Sequence, residues 1–142
     1  MKSILLALHL VFVGLWLGCV LTEALFERAL LGQGRTQELL LSNLHKRVDL
    51  FIEIPAFMLV LITGGMLWHQ AQPGMLLHTK VGFGLLAILA NAYCVHLVFK
   101  RHRLAVNGLW SAFEKTDHLQ HKIGAVVLIA MLMALSIGLY LL

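Results

Sequence analysis

The chain is poor in charge. Only 13% of its 142 residues are Asp, Glu, Lys or Arg, about half the share of a soluble domain. A water-covered globule of this length is therefore excluded, because so little polar side chain could not clothe it. The chain is also poor in cysteine. Cys19 and Cys94 both fall in apolar runs, which rules out a secreted disulfide scaffold. There is no internal repeat or low-complexity tract, and no phosphate-binding glycine loop or nucleophile elbow. The six methionines are scattered as core filler and make no copper-thioether pattern. A disordered tail and a cytosolic enzyme are excluded with them.

Apolar residues are what the chain has, at 60% with a mean hydropathy of +0.87. Four apolar runs have membrane-spanning length, at 4–25, 50–68, 75–99 and 123–142. They predict an all-α integral membrane protein, a single four-helix antiparallel bundle over 1–142. Lys2 ahead of the first run resembles a leader, but Trp16 spoils a lipoprotein-type box at Leu17-Gly18-Cys19, so the run is read as a retained span. The six-residue link His69–Gly74 makes the second and third runs a hairpin. Pro55 predicts a kink, and Gly64-Gly65 a close helix contact.

Nine of the lysines and arginines fall in the two long connections: Arg28, Arg35, Lys46 and Arg47 in one, Lys100, Arg101, Arg103, Lys115 and Lys122 in the other. Lys2 and Lys80 are alone on the opposite side. The charge bias predicts a multi-pass protein of the cell's inner (plasma) membrane with both termini on the outer side. It also accounts for the net charge of +4 through topology and anionic lipid, with no nucleic acid as partner.

The eight histidines are the unusual feature. His9, Trp16, Glu23 and Glu27 are spaced 7, 7 and 4 apart and share one face of the first helix. His78 and His96 lie 18 residues apart in the third run, about 27 Å along a helix, on one stripe with Gly82, Leu85, Leu89 and Ala92. That spacing suits ligands of two stacked cofactors, with Gly82 and Gly84 leaving room for a flat ring. The first reading is a b-type haem redox protein. His9 and His78 would clamp one haem with Trp16 packed below it, and His96 with His121 or His118 a second. Electrons would pass to quinone or a partner complex, in a homo-oligomer or as a subunit of a larger assembly. A second reading places a divalent metal (Zn, Fe or Cu) on His45, Asp49, Glu53, His118 and His121, which gather at the inner level with Glu23 and Glu27. A third is a plain membrane anchor or assembly subunit whose histidines are interfacial.

The run Leu8-His9-Leu10-Val11-Phe12-Val13-Gly14-Leu15-Trp16-Leu17-Gly18 resembles the first helix of the CopD/HemJ-type four-helix membrane proteins. Leu77-His78-Thr79-Lys80-Val81 resembles the histidine-x-lysine opening of the third helix of the membrane protoporphyrinogen IX oxidases of that group. The resemblance implies haem b and, for an oxidase, oxidation of protoporphyrinogen IX, with His9, His78 and Lys80 at the matching positions. In that enzymatic reading Lys80 or Arg28 neutralises the propionates of the porphyrin substrate and Lys80 is the catalytic candidate. The copper-associated members imply copper handling instead.

Overall fold

The computed structural model describes residues 2–142, which are all-helical. Helix α1 spans Lys2–Leu30 and α2 spans Arg35–Val48. A π-helical turn, Asp49–Glu53, carries α2 without a break into α3, Ile54–Trp68. Helix α4 spans Met75–Val106 and α5 spans Trp110–Tyr140. Four rods are long and apolar enough to cross a membrane, the second being the continuous helix Arg35–Trp68. Turns of a few residues join successive rods, so neighbours run antiparallel and both termini share one end of the bundle. That end is called the terminal end below; the other, with the basic turns, is the basic end. Helix α4 packs most extensively on α5, and α1 on α3.

The helices outlast their apolar runs. The connections expected at about two dozen residues each shrink to 31–34 and 107–109. At the second, Gly108 (φ 68°) closes a Schellman turn: its N–H donates to Ala105 O and the Leu109 N–H to Leu104 O, at 3.1 and 2.9 Å. The polar stretch Arg35–Val48 is helical because Glu38, Leu41, Ser42 and His45 form a stripe that the bundle buries. Pro55 has no N–H and cannot sit over an ordinary helical carbonyl. The helix widens just before it, where the Ile54 N–H reaches back five residues to Asp49 O.

Polar residues decide which face each helix turns inward. On α1 the buried residues are His9, Trp16, Cys19, Glu23 and Glu27, the stripe expected from spacing. On α4 the outcome differs from expectation. The buried face carries Ala87, Asn91, Val98, Arg101 and Ala105, while Leu85 and Leu89 of the histidine stripe are 46% and 71% exposed. Leucine gains little by leaving lipid for a helix interface, because lipid tails are equally apolar. Asn91 and Arg101 cannot be left in hydrocarbon. They set the rotation of α4, and His78 and His96 turn outward with the leucines.

Between the two ends lies an apolar layer of Trp16, Ala56, Phe57, Val60, Ala87, Val127, Ala130 and Met131. The Trp16 and Phe57 rings meet at 5.9 Å between centroids. This layer divides the interior into two chambers.

Candidate functional site

The chamber toward the terminal end is a cavity of about 450 Å³ between α1, α3, α4 and α5. Its walls are largely apolar, with His9, Trp16, Trp68 and Lys80 as the side chains able to bond a ligand and Gly64, Gly65, Gly84 and Gly138 between them. Two of these glycines make space for the polar side chains. A Cβ on Gly64 would stand 3.3 Å from His9 Cε1, and one on Gly138 would stand 3.0 Å from Lys80 Cε.

The His9 ring is held in one tautomer. The Thr63 hydroxyl donates to Leu59 O at 2.6 Å, so it meets His9 Nδ1, 2.8 Å away, as acceptor. The imidazole proton is thereby assigned to Nδ1 and the lone pair to Nε2. The Trp16 indole N–H is buried and has no partner, which leaves one donor beside the cavity unspent.

His78 does not line this cavity. It is exposed, its Nδ1 donates to Gly74 O at 2.7 Å, and its ring meets Trp68 edge-on at 5.2 Å. His96 is also exposed, stacked on Tyr93 at 6.3 Å. The structure therefore does not bring His9 and His78 to one cavity, nor His96 to His121 or His118.

The chamber toward the basic end is smaller, about 190 Å³, and combines apolar walls such as Val20, Val95 and Leu128 with a cluster of ionisable side chains. Five of the seven carboxylates in the sequence converge there: Glu23 and Glu27 from α1, Asp49 and Glu53 from the π-helical turn, and Asp117 from α5, all buried. The wide turn explains how Asp49 and Glu53 both come inside. At the centre is His45, whose Nε2 is 3.1 Å from Glu23 Oε2 and 4.0 Å from Asp49 Oδ1. Its Nδ1 is 3.1 Å from Glu27 Oε1. Arg101, with no exposed surface, donates to Asp117 Oδ1 through Nη1 and to Glu27 Oε1 through Nη2 at 2.7 Å. Gln120, Asn91 and Cys94 belong to the same lining.

Of the residues expected to hold a metal, His45, Asp49 and Glu53 are assembled. His121 stands at the rim, 45% exposed, with its Nδ1 donating to Asp117 O at 2.9 Å and Nε2 3.8 Å from Glu27 Oε2. His118, one position after buried Asp117, is exposed and outside the chamber lining. Sequence reading missed Arg101, Asp117 as its partner, and Gln120; Asn91, expected from its mid-membrane place to need a partner along the face shared with Lys80, is buried. Arg101 lies in the run Lys100-Arg101-His102-Arg103 and looks like one more topological charge. The available signal was its spacing of three and four residues from Val98 and Ala105, with Asn91 seven residues before Val98, steps that keep one helical face.

No family model, curated protein or solved structure matches this chain, so its function is to be argued from these two chambers.

Proposed function

We propose that this chain is a b-type haem redox protein of the inner membrane, its basic end inside, with one haem in the larger cavity and His9 as axial ligand. The observation that carries the reading is the His9 imidazole lining a largely apolar cavity, with Thr63 on its Nδ1 so that the lone pair is assigned to Nε2. A carbonyl or hydroxyl partner on the far ring nitrogen is how proteins orient and strengthen a ligating histidine, and Thr63 supplies it. The remaining donors suit a porphyrin that carries carboxylates: the half-buried Lys80 ammonium for a propionate, and the unspent Trp16 N–H for an acceptor at the cavity floor. Apolar walls shield the ring from water. Bound there, haem would supply one-electron chemistry at a potential tuned by the single axial imidazole and the low polarity of the walls. His9 alone among the lining residues would hold the haem, in place of the paired histidines expected from spacing. The His9–Trp16 run, which resembles the first helix of the CopD/HemJ-type membrane proteins, agrees with this reading; of the His78–Lys80 run only Lys80 does, since His78 stands outside the cavity.

Protein made in a host with ample haem is expected to purify with a Soret band at about one haem per chain. His9→Ala abolishes the band, and Thr63→Val weakens haem retention about 10- to 100-fold, the usual effect of losing a ligand's orienting partner. His78→Ala leaves the band in place. A wild-type protein without the band, or a His9→Ala protein that keeps it, overturns the reading.

The orientation has an all-or-none test. A phosphatase fused after Leu142 is expected to be active, and a fluorescent protein that matures only in the cytoplasm to be dark. The reverse pattern would turn the bundle over.

A further inference from the structure

We propose that the smaller chamber is a mononuclear site for a divalent first-row cation, with Glu23, His45 and Asp49 as protein ligands and Glu53 beside them. The site is separate from the haem reading, lies across the apolar layer from it, and stands or falls on its own.

Arg101 satisfies Glu27 and Asp117. Among the described residues, Glu23, Asp49 and Glu53 then share a buried space with one buried imidazole, His45, while His121 stays half-exposed at the rim. Three carboxylates removed from water without compensation are costly, and one divalent ion is the charge they need. The second observation is the set of unspent oxygens. Asp49 is 1% exposed, and neither of its carboxylate oxygens has a hydrogen-bond partner; Glu23 Oε1 is buried without one as well.

Geometry agrees. One ligand atom each from Glu23, His45 and Asp49 lies within 4.8 Å of the others. His45 Nε2 is 3.1 Å from Glu23 Oε2 and 4.0 Å from Asp49 Oδ1. Bonds of about 2.0–2.2 Å to nitrogen and oxygen place neighbouring ligand atoms roughly 3.0–3.5 Å apart, so an inward movement of Asp49 toward His45 and Glu23 closes the site. The remaining ring nitrogen is already committed. Arg101 Nη2 is spent on Glu27 Oε1 at 2.7 Å, and the same oxygen, 3.1 Å from His45 Nδ1, accepts its proton when Nε2 takes the metal. That is the carboxylate–histidine–metal arrangement. The neighbouring trio Glu27, Asp117 and His121 is also close enough to chelate, but Arg101 already occupies it. Two carboxylates and an imidazole are a donor set for Mn²⁺, Fe²⁺, Co²⁺ or Zn²⁺ and a poor one for Cu⁺, which favours sulfur.

The full-length protein, made without added haem and stripped with a chelator, is titrated with Co²⁺ in detergent. One equivalent is expected to bind with a visible d–d spectrum and to be displaced by Zn²⁺. Zn²⁺ is expected to raise the melting temperature, as any ligand selective for the folded state does. His45→Ala and Asp49→Asn each weaken Co²⁺ binding 100-fold or more. Glu23→Gln, which keeps the side chain's shape, weakens it at least 10-fold. His118→Ala and His102→Ala, both outside the site, change nothing. Absence of Co²⁺ uptake and of a Zn²⁺ effect on melting in folded wild-type protein means the carboxylates are neutralised by protons and overturns the proposal. Uptake that survives both Asp49→Asn and Glu23→Gln in folded protein also overturns it, since the ion is then held elsewhere.

Discussion

Arg101→Met is expected to destabilise the bundle by about 3–5 kcal/mol, the cost of leaving buried carboxylates without their counter-ion. Arg101 ties four helices together. From α4 it reaches Glu27 on α1 and Asp117 on α5, with Nη2 also 3.1 Å from His45 Nδ1 on α2. Its guanidinium lies over the Phe113 ring at 5.7 Å. The planar fork is what allows two carboxylates to be served at once, so Arg101→Lys, a point charge, should recover only part of the loss. Neutralising the partners should recover most of it. Buried ion networks replaced as a unit cost little, whereas breaking one by removing a single member costs a great deal. The triple variant Arg101→Met with Glu27→Gln and Asp117→Asn is therefore expected to melt much closer to wild type than Arg101→Met alone. Thermal unfolding in detergent, followed by helical signal and by size-exclusion profile, checks both halves. A single variant that melts within about 2 °C of wild type would show that the arginine is ornamental to the fold, as a change of several kcal/mol should move the midpoint by about 10 °C or more.

The number of helices and their membrane character were legible because hydropathy needs only the length and apolarity of a run. The inward stripe of α1 was legible too, since polar residues stood at helical spacing within an apolar background. Spacing failed on α4 because it says which residues share a face and does not say which face turns inward. His78 and His96 share one face, and Asn91 and Arg101 are buried on another. Chemistry decides between them. An exposed imidazole near either end of the helix can reach water or head groups, while a mid-membrane amide and an interior guanidinium cannot. The inner cluster was half legible for a related reason. His45, Asp49 and Glu53 follow helical steps, but the wide turn before Pro55, which brings both acids inside, has no periodic signature. Arg101 was hidden by its neighbours: among three other basic or imidazole side chains, one that folds inward looks like those that stay out.

Trp16→Ala is expected to cost about 3 kcal/mol and, more tellingly, to join the two chambers. Trp16 is 2% exposed and packs on Phe57 in the layer that separates the large cavity from the smaller one. In a soluble core the loss would combine a transfer and a void contribution. In lipid the transfer part nearly vanishes, because the unfolded reference is as apolar as the interface. What remains is lost dispersion around a void on the order of 130 Å³, at about 24 cal/mol per Å³. Trp16→Phe separates packing from polarity. The smaller ring keeps much of the contact and removes an indole N–H that is buried without a partner, so its stability should lie within about 1 kcal/mol of wild type. If the N–H is instead spent on a bound ligand, Trp16→Phe will leave the melting of ligand-free protein unchanged yet weaken occupancy of the large cavity. The Ala variant should in addition let water pass between the chambers. Solvent hydrogen exchange at the backbone of Ala56–Val60 and Ala87 reads this directly. Exchange that is accelerated in Trp16→Ala but not in Trp16→Phe is the expected pattern, and equal exchange in both would mean that the tryptophan seals nothing.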